Sequence, residues 1–445
     1  MKQFEKSSLM IAYDNTVGVV YHPAKGALTT TTPQHAKIIE HVFEDYVKGG
    51  LSSAQQNDFE AYIEKSFQNK QEKPLAVFPG LDKTDAIDKL EIMLANDCNL
   101  NCKYCYAHGG TYDCQAQRMK PETAIDYLNK LLVGKYHTVK IVMFFGGEPT
   151  LCPDTMAAIC AFFEQHVGAG VFADMPVFTM VTNGTLINED LVRTIHKYNI
   201  RVTVSLDGPP EINDQLRVDR AGHGTFAVVE RGIEALTAAG CPPRLIEATY
   251  TSLHHKLGYT KADIQSYLQN RLGIEHILVA NCGAGGLDET LVFADGYPAC
   301  PQEEAELTQQ EQSRLFTDLS KTSFYDLSCD AGLASFALLP NGELYPCHFF
   351  VGKPEYRIAR YAGGSFDFSG YAAVVSRLAP ARKLQNPKCK DCWAKPLCSS
   401  CPASMLLWEE VADSFDFCQN ERTRLKQFIL KLVKKELSQK QVSVN

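Results

Sequence analysis

From Leu90 onward, short apolar runs alternate with amphipathic stretches. Six runs have the length and residue content of strands: Leu90–Ala95, Val139–Phe145, Val177–Val181, Arg201–Ser205, Leu245–Tyr250 and Ile274–Ala280. Between them, Pro121–Val133, Asp154–Gln165, Asn188–Tyr198, Thr225–Ala239 and Lys261–Arg271 have the spacing of helices. Strict strand–helix alternation predicts right-handed βαβ units and a parallel α/β sheet. Six units are too few to close an eight-stranded barrel. Upstream, Leu9–Asn15 and Gly18–Pro23 predict two strands around a turn. Pro33–Gly49 predicts a helix with Ile38, Ile39, Val42, Phe43 and Val47 on one face, and Asp58–Gln68 a second. Gln71–Asp85, with Lys73-Pro74 and Pro79-Gly80, reads as a linker. Downstream, Glu303–Ser320 predicts a polar helix, and Pro340-Asn-Gly342 a hairpin turn between two apolar runs. Residues 420–437 predict a basic amphipathic helix with Leu425, Phe428, Ile429 and Leu432 inward.

Composition narrows the class. A chain of 445 residues with 45% hydrophobic content has ample material for a large core, divided into two to four domains. A net charge of −8 and a pI near 5.9 favour neither nucleic acid nor anionic lipid as a partner. No stretch reaches the length and apolarity of a membrane span, and no long apolar region follows Met1-Lys-Gln-Phe, so a cytoplasmic protein is expected. There are 16 cysteines, and ten of them fall into two regions rather than being spread as a disulfide framework. In a cytoplasmic chain that clustering points to metal.

The first region is Cys98-Asn-Leu-Asn-Cys102-Lys-Tyr104-Cys105, at the end of the strand Leu90–Ala95. Three thiolates at this spacing can ligate three irons of a four-iron cluster and leave the fourth open for chemistry. A zinc loop is the bland alternative, but such sites pair C-x2–4-C with a second pair further on. Cys114 and Cys152 do not form one. The loop resembles the CxxxCxφC motif of the radical S-adenosylmethionine (SAM) superfamily, with Tyr104 at the aromatic position near the adenine. The resemblance implies a partial (β/α)6 barrel and a [4Fe–4S] cluster held by Cys98, Cys102 and Cys105. It implies that SAM chelates the open iron and is cleaved to a 5′-deoxyadenosyl radical. Gly146-Gly147-Glu148-Pro149, after the second strand, matches the motif that binds the SAM amino group. By the same resemblance Ser205 and Asn183 face the ribose, and Arg217 is a candidate for the SAM carboxylate. Asp207 and Glu247 are further carboxylates near strand ends, and no general base is singled out.

The second region contains Cys329, Cys347, Cys389, Cys392, Cys398, Cys401 and Cys418. Taken alone, Cys389, Cys392, Cys398 and Cys401 would suit a zinc ribbon. The whole run resembles a SPASM domain, with Gly342-x4-Cys347, a Cys-x2-Cys-x5-Cys-x2-Cys quartet and a last cysteine. That implies two auxiliary [4Fe–4S] clusters and three clusters in all. One takes Cys389, Cys392, Cys398 and Cys418; the other takes Cys329, Cys347 and Cys401. The latter is one thiolate short, leaving room for a substrate thiolate or for Cys300. Cys282 is isolated and reads as a small buried residue.

The expected domains are residues 1–85, 88–282, a bridge over 283–328, an iron–sulfur domain over 329–420, and a C-terminal helix and tail over 421–445. The first resembles the small winged-helix leader-recognition module of peptide-modifying enzymes, which adds a peptide to a sheet edge; a plain N-terminal extension is the other reading. Together these features imply a peptide maturase whose partners are a ribosomally made precursor peptide with a leader and an external electron donor. The favoured product is a Cys thioether. A carbon–carbon crosslink and formylglycine formation are alternatives, and a non-catalytic zinc scaffold is the rival from another class.

Overall fold

A computed structural model of the chain describes residues 9–73, 75–76, 85–282, 286, 288–292, 324–327, 329–398, 401–408 and 417–442. The helix expected over Glu303–Ser320 and the residue Cys300 lie outside them. The chain opens with β1 (Met10–Tyr13), β2 (Gly18–His22), β3 (Ala27–Thr31), α1 (Pro33–Lys48), α2 (Ser53–Ser66) and β4 (Leu75–Ala76). It continues as β5 (Ala86–Ala95), α3 (Pro121–Leu131), β6 (Thr138–Gly146), α4 (Pro153–Gly168), β7 (Val177–Thr182), α5 (Glu189–Tyr198) and β8 (Arg201–Ser205). Then come α6 (Pro210–Leu216), α7 (Phe226–Ala238), β9 (Leu245–Tyr250), α8 (Ser252–Lys256), α9 (Lys261–Leu272) and β10 (Ile277–Asn281). The C-terminal part has β11 (Phe324–Tyr325), β12 (Ser335–Leu338), β13 (Glu343–Tyr345), β14 (Ala359–Ala362) and β15 (Ser365–Asp367), with helices at Tyr371–Leu378 and Phe417–Val442.

Packing divides the chain into two compact units that cut across the boundaries expected at 85, 282, 328 and 420. One unit is Met1–Phe78 with Gln302–Cys329 and Leu378–Asn445; the other is Pro79–Pro301 with Asp330–Arg377. The second unit contains a ten-stranded sheet in the order β10-β9-β8-β7-β6-β5-β12-β13-β14-β15. Strands β5 to β10 are parallel, as the strand–helix alternation predicts. β12 joins the edge of β5 in parallel, and the predicted hairpin turns it into antiparallel β13. Gly342 makes that turn at φ 77°, a backbone conformation glycine adopts without penalty.

Along β6, β7 and β9 burial alternates. Val142, Phe144, Phe178, Met180, Ile246 and Ala248 are buried under the helices. Phe144 and Phe178 stack at 5.8 Å, with Phe163 of α4 at 6.0 Å from Phe178. Each such ring, fully buried, contributes about 1.5–3 kcal/mol. The opposite face, with Phe145, Val181 and Glu247, is only half-buried. Parallel strands covered on both faces are normally buried throughout, so this face is less fully covered than the one under the helices.

The first unit is built on the antiparallel sheet β1-β2-β3. Leu9, Ile11 and Val20 pack against Ala36 and Ile39 of α1 and Phe59 and Ile63 of α2. On the other face Met10, Ala12, Val19 and Tyr21 pack against Leu425, Ile429, Leu432 and Val433 of the C-terminal helix. The segment expected to fold over 1–85 therefore shares a core with a helix assigned to another domain. Two side chains expected on the inner face of α1 are corrected: Ile38 and Val47 are 60% and 53% exposed. The stripe that meets the sheet runs through Ala36, Ile39 and Phe43, one helix position away. Among the described residues, no helix is long and apolar enough to cross a membrane.

Candidate active site

The carboxyl ends of β5 to β9 converge on the three-cysteine loop. Leaving β5 at Ala95, the backbone turns so that Cys105 N donates to Cys102 O (3.1 Å) and Leu100 N reaches Cys98 Sγ (3.4 Å). Asn101 N and Lys103 N donate to Val218 O and Leu216 O at 2.8 and 2.9 Å, anchoring the loop to the end of α6. The loop also packs on Gly146 and Gly147. Gly146 sits at φ 133°, and a Cβ on Gly147 would stand 2.2 Å from Asp97 O. These glycines thus let two backbones touch, seating the cysteine loop on the Gly-Gly-Glu-Pro turn.

Cys98 is buried, and Cys102 and Cys105 are half-buried. Burial, then the Glu148 carboxylate and the neighbouring thiols, pushes Cys98 up to about 12. Burial likewise pushes Cys102 up to about 11, against the pull of Arg217. Metal binding requires thiolates and releases these protons. Among the described residues, no three His, Cys, Asp or Glu side chains converge on one ion. A four-iron cluster takes one thiolate per iron, so its ligands stand apart rather than meeting at a point.

Glu148 is buried and accepts four hydrogen bonds: from Thr150 N (3.0 Å), Thr150 Oγ1 (2.6 Å), Thr182 Oγ1 (2.6 Å) and Asn183 N (2.7 Å). Burial raises its carboxyl pKa, and these bonds offset part of that rise. The carboxylate thereby ties the end of β6 to the end of β7. Pro149 follows as the first residue of a short 3-10 turn, Pro149–Leu151. Asn183, held by Glu148, turns its side chain toward the cysteine loop. Its Nδ2 donates to Asn99 Oδ1 at 2.9 Å and lies 3.8 Å from Cys98 Sγ. Ser205, the last residue of β8, is half-buried and pairs in register with Glu247 of β9.

Tyr104, Asp207 and Arg217 form a second knot. The Tyr104 hydroxyl donates to Asp207 Oδ2 at 2.6 Å, and Arg217 Nη1 donates to the Tyr104 oxygen at 2.5 Å. Asp207 Oδ1 accepts from Thr249 N at 2.9 Å and lies 3.9 Å from Arg217. Burial, above all, raises the Tyr104 hydroxyl well above its usual value. Burial opposes the charge on Arg217, but Tyr104, Cys102 and Asp207 together hold it firmly protonated. Its Nε is buried and has no hydrogen-bond partner among the described residues. A buried, orphaned guanidinium donor beside Cys102 fits the carboxylate of an amino-acid ligand at the cluster. SAM presents such a group.

Sequence reasoning missed three groups in this sheet and its loops. His254 is buried and its Nε2 lies 2.8 Å from Asp207 O. Glu91, wholly buried on β5, meets His348 N at 2.9 Å and His348 Nδ1 at 3.0 Å. His348 in turn packs on Phe145 with ring centroids 4.7 Å apart. Partners up to 257 residues apart leave no local pattern to find.

In the first unit Cys389, Cys392, Cys398 and Cys418 line one small cavity. Burial, then the other three thiols, pushes Cys389 up to about 11. Four mutually interacting thiols around a common space fit a four-iron cluster. Cys329 is exposed, Cys401 is half-buried, and Cys347, half-buried, follows β13 in the second unit. Cys282 is buried after β10, its thiol pushed up to about 11 by burial and then by Asp207.

Residues 92–269 match the model of the radical SAM superfamily. The chain is 26% identical over 188 residues to the radical SAM cyclopropyl synthase TigE of Paramaledivibacter caminithermalis, covering 39% of this chain and 37% of TigE. It thus spans little more than a third of that relative. It is 23% identical over 332 residues to the cysteine-type anaerobic sulfatase-maturating enzyme of Clostridium novyi, covering 69% of this chain and 85% of that protein. The solved structure of native anSMEcpe with bound AdoMet shares the fold, with a TM-score of 0.54 at 20% identity over 78% of this chain and 98% of that one. Both loops that meet at the end of β5 fall inside the span that matches the radical SAM superfamily model, so this part of the chain is similar to radical SAM domains.

Proposed function

We propose that the protein is a maturase that oxidises a peptide or protein substrate and closes a Cys thioether within it. The observation that carries the reading is the orphaned Arg217 Nε beside the three-thiol loop. Cys98, Cys102 and Cys105 would hold three irons of the first cluster. Arg217 would receive the SAM carboxylate, the Gly146–Pro149 backbone the amino group, and Ser205 the ribose. Tyr104 would lie along the adenine, its hydroxyl fixed by Asp207. Glu148 and Asn183 tie the two loops together, with Asn183 beside Ser205 as a candidate for the ribose. When bound, SAM on the cluster supplies a radical that takes a hydrogen atom from carbon. The half-buried face of β6, β8 and β9, with Phe145, Ser205 and Glu247, would orient the substrate.

The likeness to proteins named as maturating enzymes supports the substrate class. We assign Cys389, Cys392, Cys398 and Cys418 to one auxiliary cluster, and Cys329, Cys347 and Cys401 to a second that could take a substrate thiolate. A precursor peptide engaging residues 1–85 and an external reductant complete the reading. Formylglycine formation is the second reading, favoured by the 85% coverage of the sulfatase-maturating relative.

The test is iron and sulfide per chain after anaerobic reconstitution, with 5′-deoxyadenosine assayed under reductant. About twelve irons are expected, falling to about eight, with loss of SAM cleavage, in the Cys98→Ala/Cys102→Ala/Cys105→Ala variant. Zinc in place of iron, or unchanged SAM cleavage in the variant, would overturn the mechanism.

A further inference from the structure

We infer that Arg118 and Arg220 form a docking site for a small acidic one-electron carrier beside the three-cysteine loop. The inference rests on the reading that Cys98, Cys102 and Cys105 hold a cluster that has to be reduced. The electron must enter from outside the chain, so a stretch of surface near the loop has to receive its donor. The loop reaches solvent at Asn101 and Lys103, which are exposed.

Two arms of the chain reach this loop. In one, Arg118 bridges Ala95 at the end of β5, with Asn96 N donating to Gln117 O and Met119 N to Leu94 O, both at 2.8 Å. In the other, Asp219 bridges Leu100, and a hairpin closed by Asp219 N on His223 O (2.9 Å) carries Arg220 at its tip. Both arginines meet on Asp97, the residue before Cys98. Arg118 Nε and Nη2 donate to Asp97 Oδ2 at 3.1 and 2.7 Å, and Arg220 Nη2 donates to Asp97 Oδ1. The Asp97 side chain is 15% exposed, whereas those of Arg118 and Arg220 are 54% and 63% exposed.

One carboxylate does not neutralise two guanidinium groups, so the clamp is net positive on a chain whose net charge is −8. Asp219, next to Arg220 in the chain, is already engaged: it accepts from Ala221 N and His223 N at 2.8 Å and pairs with the His223 ring at 3.0 Å. Exposed ion pairs add little to stability, and holding two cations side by side works against it. The arrangement therefore suits recognition better than folding. Asp97 takes two N–H groups of Arg118 and one of Arg220. A guanidinium has five, so spare donors remain in side chains that are more than half exposed, and such donors bind carboxylates bidentately. A carrier with carboxylates around its redox centre meets net repulsion from the chain as a whole and attraction here, which steers it to this patch. Docked there, it stands against the residue that leads into Cys98. The carrier gives up one electron and the cluster gains it, with no bond formed between the two proteins. That electron is the one that breaks a C–S bond of bound SAM, leaving methionine and the 5′-deoxyadenosyl radical.

The experiment separates binding from electron delivery, with an acidic flavodoxin as the probe. Binding of the oxidised flavodoxin to the full reconstituted chain is followed by calorimetry at low and at physiological salt. Arg118→Gln/Arg220→Gln is expected to weaken binding at low salt by at least about tenfold and to flatten its salt dependence. Arg118→Lys/Arg220→Lys should restore most of it. With dithionite as reductant, 5′-deoxyadenosine formation by the glutamine variant should stay within about twofold of the parent, while flavodoxin-driven formation falls at least about tenfold. If the double variant loses iron, Arg220→Gln alone decides, because Arg118 still holds Asp97 through two donors. A parent that does not bind flavodoxin, binding unchanged in the glutamine variant, or equal losses with the two reductants at unchanged iron content overturn the inference. A parent that forms no 5′-deoxyadenosine with dithionite overturns the cluster reading beneath it.

Discussion

Glu91→Gln isolates the charge of one buried carboxylate on β5 from its shape. The Glu91 carboxylate is 0% exposed and is met by His348 N at 2.9 Å, His348 Nδ1 at 3.0 Å and Lys89 Nζ at 2.6 Å. Burial alone would push its pKa up; His348, then Lys89, overcome that and hold it at about 2, against an ordinary 4.5. At 1.36 kcal/mol per unit, that difference is worth about 3 kcal/mol of stability at neutral pH. The sign follows from the depressed value: the contribution is complete above pH 4.5 and is lost as pH falls toward 2. At pH 3 about 1.5 kcal/mol remains. Glutamine keeps the shape and removes the charge. Urea unfolding of iron-free parent and variant, followed by fluorescence, should show a loss of about 3 kcal/mol at pH 7 that roughly halves at pH 3. Equal losses at the two pH values, or none at pH 7, would refute the reasoning.

Three further outcomes are expected. Arg217→Met removes a charged donor worth about 1.5–3 kcal/mol, so SAM should bind roughly ten- to a hundredfold more weakly by equilibrium dialysis, at unchanged iron content. Gly147→Ala puts a Cβ 2.2 Å from Asp97 O and should unseat the cysteine loop; the expected readout is a loss of about four irons per chain with circular dichroism preserved. Ile429→Ala, at a fully buried position facing β1 and β2, should destabilise the first unit by about 2–5 kcal/mol in thermal melts and speed proteolysis near the N-terminus.

The parallel strands were legible because each is a short apolar run between helical periods, and their ends were placed within a few residues. β3 was not, because Ala27-Leu-Thr-Thr-Thr31 has little apolar alternation and gains its strand state from pairing with β2. The inner face of α1 was misread at Ile38 and Val47 because apolar content alone does not choose between adjacent stripes; the sheet beneath chooses. The three-cysteine loop was legible as a unit because its thiols stand at a spacing written along the chain. The setting of Arg217 was not: Tyr104 lies 113 residues away, and nothing local distinguishes a buried arginine from a surface one. Nor did any pattern show that Leu9–Ala12 and Val19–Tyr21 are buried on both faces, although their unbroken apolar character is what such burial requires.

The shared core of β1, β2 and the C-terminal helix bears on how the protein is made. Met10, Ala12, Val19 and Tyr21 leave the ribosome early, whereas Leu425 and Ile429, which cover them, come some four hundred residues later. At synthesis rates of roughly 5–20 residues per second, that is on the order of 20–80 s with an apolar sheet face uncovered. During that interval α1 and α2 can cover only the opposite face. Nascent chains should therefore engage chaperones through β1 and β2 until the helix Phe417–Val442 is released, and a product stalled before that helix should aggregate through the same surface.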